Sequence, residues 1–307
     1  MSRKQDSRDD PATVAQRAAD HLAAALAAPL APGLYVVATP IGNLGDLSLR
    51  AISVLARADV ICCEDTRHSR TLLAAYAISR PTSAYHEHNA EAERPRILSE
   101  LAAGRRIALI SDAGTPLVSD PGFKLVRAAA EAGHSVIPIP GASAPLAALA
   151  AAGLPTDAFH FAGFLPPKAG ARRARLAELA AIDATLVLFE APSRLGDTLA
   201  EIDAVMATRE LVVARELTKL HEEFRRGPAA ELRDWARRAE PRGEMVILIA
   251  PPDAPPEVRD ADIETRLETA LGSMSLRDAA RAVAEDLGVA RSRVYDLGLR
   301  LRKGSDG

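Results

Sequence analysis

Cysteine is scarce in this chain of 307 residues: there are two, Cys62 and Cys63, side by side. Adjacent cysteines rarely bridge each other, because the geometry is strained. They lie in an apolar run, so they read as buried free thiols, which fits a reducing compartment. No Cys/His spacing of the metal-binding kind occurs, and no metal is expected. Long apolar runs are missing too. The stretch 141–154 falls short of the ~20 residues a membrane helix needs, and it is mostly Ala. The first residues mix Arg3, Lys4 and Arg8 with Asp6, Asp9 and Asp10, without the cationic start of a secretory signal. A cytoplasmic protein with no membrane association is expected. Nor is there a charge excess. The net charge is −3, so the whole chain does not advertise nucleic acid, and any RNA contact must come from local patches. Arginine far outnumbers lysine, which genome composition explains as easily as phosphate binding.

What is present is globular: 48% hydrophobic and 26% charged residues, enough for two modest domains. From Leu34 on, short apolar strands alternate with helical patterns. Strands are expected at Leu34–Ala38, Val60–Cys63, Ile107–Ser111 and Val136–Ile139. Helices are expected at Leu47–Ala56, Ser69–Ala77, Ala90–Ala103 and Lys124–Ala132. This alternation predicts an α/β fold with a mostly parallel sheet. Residues 1–32 read as a flexible N-terminal extension with a weak helix from Pro11 to Ala28. Residues 33–162 form the first α/β domain. The glycines and prolines of Gly163–Gly170 read as a linker opening the second, 163–252. There, helices are expected at Arg172–Ala181, Arg194–Met206 and Glu231–Ala239, and strands at Thr185–Glu190, Glu210–Arg215, Glu222–Arg226 and Glu244–Ala250. The run PPDAPP, Pro251 to Pro256, is a stiff second linker. Beyond it, 260–303 is a small C-terminal helical unit of about three helices.

Ligands of doubly wound sheets bind beyond the carboxyl ends of the strands. Four unusual loops follow strands. In TPIGNLGD, Thr39 to Asp46, two glycines allow close approach and Asp46 is placed to cap the next helix, although a plain turn explains it as well. EDTRHSR, Glu64 to Arg70, bunches two carboxylates, two guanidiniums and an imidazole against a buried strand end. An exposed, salt-bridged helix start is the other reading. SDAGTPLVSDPG, Ser111 to Gly122, is longer than a connection needs; Asp112, Thr115, Ser119 and Asp120 offer polar groups, and Gly114 lets a ligand approach the backbone. PGASA, Pro140 to Ala144, suits a close-packed wall. In the second domain, Glu190 and the Arg215–Lys219 cluster end strands and point to one shared cleft.

Together with AAGLPTD, GFLPPK, EAPSRL and RELTKLHEEF, these blocks resemble the tetrapyrrole methylase superfamily. Within it they resemble the bacterial enzymes that 2′-O-methylate a cytidine of 16S ribosomal RNA. The matching blocks run in order from Thr39 to Phe224, and the likeness continues to about Arg302. Ala191 stands where Ser is usual, and Ala142 where Pro is usual. The resemblance implies two αβα domains with S-adenosylmethionine in the cleft between them. Carried over by position, the cofactor pocket comprises Pro40, Asp112, Ala113, Gly114, Thr115, Val118, Ser143, Ala144, Glu190 and Leu217. This fits a ligand without phosphate, and no GxxxxGK[ST] motif occurs. Glu64, Asp65, Arg67 and Lys219 are the catalytic candidates, the carboxylates or Lys219 as base. Arg50, Arg67 and Arg70 are placed to hold RNA phosphates. The implied partners are 16S RNA or the assembled small subunit and a second copy of the chain. Two alternatives share the fold: a small-molecule methyltransferase and a non-catalytic RNA-binding assembly factor.

The C-terminal helices read as a helix-turn-helix-like unit with Gly288 in the turn. Arg277, Arg281, Arg291, Arg293, Arg300, Arg302 and Lys303 favour an RNA grip over a packing appendage.

Overall fold

The apolar runs of the first half become the five strands of one parallel sheet. A computed structural model describes residues 10–252 and 258–305, the last four by backbone alone. Residues through Pro252 form one compact unit and the C-terminal segment another. The first sheet holds β1 (Gly33–Val37), β2 (Val60–Cys63), β3 (Thr82–Ala84), β4 (Arg106–Ile110) and β5 (Val136–Ile139) in the order β3-β2-β4-β1-β5. All its pairings are parallel. Successive side chains on a strand point to opposite faces. Leu34 and Cys62 therefore join Ile97 and Leu101 of α4 (Ala90–Ala102) and Leu125 of α5 (Phe123–Glu131). Tyr35, Val37 and Cys63 join α2 (Leu49–Arg57) and Leu73 of α3 (Thr66–Ala75) on the other face. Cys62 and Cys63 are thus free and buried on opposite faces, and burial pushes the Cys62 thiol up to about 12.

Three details depart from expectation. Asp46 sits in a short 3-10 turn, Leu44–Asp46, that Asn43 caps. Ser48 is the residue that caps α2, its hydroxyl accepting from the Ala51 amide at 3.1 Å. A serine immediately before the first helical residue is better placed for those amides than an aspartate two residues further back. The expected N-terminal helix is present as α1 (Pro11–Ala27), and its C-terminal end is tied down: the Ser53 hydroxyl donates to the Ala25 carbonyl at 2.9 Å, and Arg57 donates to the Ala28 carbonyl. Residues 1–9 of that extension lie outside the described residues. Finally, β3 is a short, half-buried edge strand that the apolar pattern does not announce.

Helix α6 (Ala144–Ala152) leaves the first sheet and lies on the second, against Val187, Val212, Val246 and Leu248. It starts with Pro145 in its first turn and stops at Gly153, whose φ of 80° is left-handed. The second sheet runs β6-β7-β10-β8-β9, with β6 (Phe159–Phe164), β7 (Thr185–Glu190), β8 (Leu211–Arg215), β9 (Glu223–Gly227) and β10 (Met245–Ile249). Only β6 and β7 are parallel; the other three pairings are antiparallel. Gly163 and Phe164 therefore close a strand, and Ala169–Ala180 is already helix α7, so Gly163–Gly170 is not a free linker. Central β10 is fully buried; each of its side chains gains about 1.5–3 kcal/mol on leaving water. Helices α7, α8 (Leu195–Met206) and α9 (Ala229–Ala239) cover the face opposite α6.

The C-terminal unit is α10 (Asp260–Leu271), α11 (Leu276–Leu287) and α12 (Arg291–Ser305). Ile263, Leu267, Leu276, Val283, Val294 and Leu297 form its core. Ser275 caps α11, and Gly288 ends it at φ 64°. A side chain on Gly298 would run into Leu276 and Leu267, so this glycine sets how closely α12 crosses its neighbours. Tyr295 and Leu299 remain exposed on α12. Among the described acidic side chains, Asp262, Asp286 and Asp260 pair with Arg259, Arg266 and Arg293 respectively. The side chains of Arg302 and Lys303, and residues 253–256 of the proline run, lie outside the described residues.

Candidate active site

The long loop after β4 ties the other loops of the first sheet together. Thr39 and Gly114 exchange backbone hydrogen bonds of 2.8 and 3.0 Å, clamping the first loop to the third. The Asp112 carboxylate accepts from the Asp65 amide at 3.2 Å, joining the second loop. The Thr115 hydroxyl donates to the Ala142 carbonyl at 3.2 Å, joining the fourth. Gly114 has φ 76°, and a Cβ there would stand 3.2 Å from the Ile41 side chain. Leu117 and Ser119 of the same loop, and Glu216 and Thr218 across from it, have left-handed backbones despite being non-glycine. Such conformations are costly and gather at functional sites.

The first, third and fourth of these loops form one wall of a cleft of about 380 Å³, within the range of small-molecule sites. The other wall comes from the second sheet: Phe164, the end of β7 with Glu190–Pro192, Leu217, and Gly243–Val246 at the start of β10. Eight of the cofactor candidates line it: Ala113, Gly114, Thr115, Val118, Ser143, Ala144, Glu190 and Leu217. Pro40 and Asp112 do not; Asp112 instead faces the second loop. Several wall residues were not among the candidates. Gly243–Val246 comes from a turn and strand start with no motif beyond PRG. Phe164 and Phe189 lie with ring centroids 5.4 Å apart and supply an aromatic surface. Ser119 and Asp120 also line it, and the overlong loop is the sequence signal for them.

Glu190 is buried and fully engaged. Its carboxylate accepts from the Ala191 amide at 2.8 Å and the Thr198 hydroxyl at 2.5 Å, and stands 3.2 Å from the Arg194 guanidinium. It fixes the turn from β7 into α8, so the cleft sees a rigid strand end.

None of the four catalytic candidates lines the cleft. Asp65 caps α3 through the Arg67 amide at 2.8 Å and pairs with the Arg67 guanidinium at 3.0 Å. The hydrogen bonds from Arg67 lower its pKa to about 2. Arg67 is exposed, as are Arg50 and Arg70. Lys219 lies with its stem over Gly42, where a Cβ would stand 2.5 Å from the lysine Cγ. Its ammonium bridges Glu216 and Glu244 at 3.0 Å each. Burial opposes that charge, but the two carboxylates outweigh it and raise the pKa. Glu64 is raised by burial and by Asp112, with His86 opposing. Asp120 is pushed up to about 6 by burial and by Glu64, with the nearby Ser111 hydroxyl opposing and Asp112 adding.

Among the described residues, no lysine or arginine lines the cleft. A phosphate ligand would find no counter-charge there. A cationic ligand with an aromatic group fits better: the walls offer Phe164 and Phe189, backbone and small residues at Ala113–Thr115 and Ser143–Ala144, and the carboxylates of Asp120 and Glu244.

Comparison with known proteins agrees with this architecture. The family model for Tetrapyrrole (Corrin/Porphyrin) Methylases matches residues 33–233, and that for the RsmI C-terminal HTH domain matches residues 257–302. The ribosomal RNA small subunit methyltransferase I of Mesorhizobium japonicum is 50% identical, covering 90% of this chain and 94% of that protein. Its counterpart in Pseudomonas aeruginosa is 47% identical, over 87% and 96%. The crystal structure of the cobalt precorrin-4 methyltransferase CbiF superposes with a TM-score of 0.53 at 19% identity, covering 71% of this chain and 94% of that one, which speaks to the fold alone.

Proposed function

The chain belongs to the Tetrapyrrole (Corrin/Porphyrin) Methylases family, and from that membership we propose that it methylates small-subunit ribosomal RNA with S-adenosylmethionine as donor. The observation that carries the reading is the likeness to ribosomal RNA small subunit methyltransferase I at 50% identity over 90% of the chain, a span that includes the helix-turn-helix unit as well as the methylase unit. The acceptor is the 2′-hydroxyl of a cytidine, cytidine 1402 of 16S RNA by the resemblance drawn from the motifs. The protein acts in the cytoplasm as a homodimer, a state that light scattering on the purified chain reads directly.

S-adenosylmethionine supplies a methyl group on a positively charged sulfur. The residues of the cleft suit it. The Ala113–Thr115 and Ser143–Ala144 segments offer backbone and space, Phe164 and Phe189 an aromatic face, and the carboxylates a favourable field for a cation. Their task is alignment: holding the ribose oxygen in line with the methyl carbon and sulfur contributes roughly 7–11 kcal/mol in well-oriented reactions. The exposed Arg50, Arg67 and Arg70 beside the loops, and the arginines of α11 and α12, are suited to phosphates of the RNA. A methylation assay that offers small ribosomal subunits, naked 16S RNA and a tetrapyrrole to the purified chain tests this. Transfer to the RNA substrates is expected; transfer to the tetrapyrrole alone would make the chain a small-molecule enzyme.

A further inference from the structure

We propose that Asp120 is the carboxylate that takes the proton from the acceptor hydroxyl, an assignment that rests on the RNA methyl-transfer reading. Among the described residues, three ionisable side chains line the cleft: Asp120, Glu190 and Glu244. Glu190 is held by an amide, a hydroxyl and a guanidinium. Glu244 is ion-paired with Lys219 at 3.0 Å. Asp120 has no cationic partner among the described residues. Its charged and polar neighbours are Glu64 from the loop after β2, and Asp112 and the Ser111 hydroxyl just after β4; His86, after β3, acts on Glu64.

The sequence candidates are worse placed. Asp65 is a helix cap paired with Arg67, off the wall. Lys219 keeps its proton between two carboxylates. Burial and like charges push Asp120 up to about 6. A general base works best when its pKa lies near the working pH. In the step, the ribose oxygen forms its bond to the methyl carbon. The electron pair of the breaking carbon–sulfur bond stays on sulfur, and the hydroxyl proton moves to Asp120. Charge balances, because the sulfonium becomes a neutral thioether as the carboxylate becomes neutral.

The test uses the full chain, with Asp120→Asn, Glu64→Gln and Asp65→Asn. In the ligand-free protein, thermal unfolding across pH gives a readout independent of turnover. A carboxyl raised to about 6 in the folded state makes the wild type lose stability relative to Asp120→Asn as pH rises through that value. Glu64→Gln removes one of the charges that raise Asp120, so that window moves to lower pH. Single-turnover transfer to small subunits at saturating cofactor should fall ~10²–10⁴-fold in Asp120→Asn, far more than cofactor affinity by calorimetry falls. The acid limb of the wild-type rate, with midpoint near 6, should move down in Glu64→Gln. Asp65→Asn should keep both its rate and the acid limb.

An Asp120→Asn rate within a few-fold of wild type overturns the assignment. So does a matching loss of cofactor affinity, which would make Asp120 a cofactor ligand. A collapse confined to Asp65→Asn, or an acid limb unmoved by Glu64→Gln, has the same consequence. A wild type that binds cofactor but methylates no ribosomal RNA refutes the functional reading itself and the assignment with it.

Discussion

Replacing Glu190 with alanine should weaken the fold, leaving the ability to bind cofactor in place. The carboxylate is a strut at the turn from β7 to α8, and its removal deprives Ala191, Thr198 and Arg194 of their common acceptor. Breaking a buried ion pair by removing one partner costs about 3–5 kcal/mol. Arg194 retains the Leu165 carbonyl at 2.8 Å and reaches some solvent, which places this case at the low end, about 3 kcal/mol. For a unit of this size, each kcal/mol lowers Tm by about 2–4 °C, so a fall of about 6–12 °C is expected. Thermal unfolding with and without S-adenosylmethionine is the assay. A strut predicts equal falls in both conditions, with the cofactor-induced rise in Tm preserved. An unchanged ligand-free Tm with the cofactor-induced rise abolished would refute the reasoning and make the side chain a direct ligand.

Other expectations follow from the same geometry. Gly114→Val forces a β-branched residue into a φ of 76° beside Ile41 and should abolish cofactor binding with far-UV circular dichroism retained; normal affinity by calorimetry would remove this loop from the pocket. Truncation after Pro252 should leave cofactor affinity intact and weaken binding to small subunits in a filter-binding or light-scattering assay; unaltered RNA affinity would count against a role for the helix-turn-helix unit in RNA engagement. Asp59, held at about 2 mainly by hydrogen bonds from Arg106, has a depressed folded-state pKa. Its contribution is present above its unfolded value and lost as pH falls through the folded one. Asp59→Asn should therefore cost about 1 kcal/mol near neutrality, after discounting for solvent screening, and nothing near pH 2, as read by urea unfolding at both pH values.

The strands of the first sheet were legible because buried parallel strands are continuous apolar runs, as GLYVV, VICC and RIALI are. Thr82–Ala84 was not, since three half-buried residues at an edge carry too little pattern. Phe159–Phe164 was hidden by its glycine at a bulge and its exposed ends. The second sheet also interleaves helices with strands, except that β8 runs directly into β9, yet it pairs mostly antiparallel, because strand direction depends on which neighbour each strand finds. The overlong loop Ser111–Gly122 is the sequence feature that marks one wall of the cleft. The EDTR block drew attention for its density of charge, but Asp65 and Arg67 spend much of that charge on each other. Asp120 carries no special signal in the sequence, because its lack of a cationic partner among the described residues is a fact of three dimensions.

The central claim is tested most directly by mapping ribose 2′-O-methylation along 16S RNA from cells lacking this chain and from the same cells with it restored. The account predicts that one cytidine of the small-subunit RNA loses its 2′-O-methyl group without the chain and regains it with the wild type but not with Gly114→Val. An identical methylation map in all of these cells would contradict it.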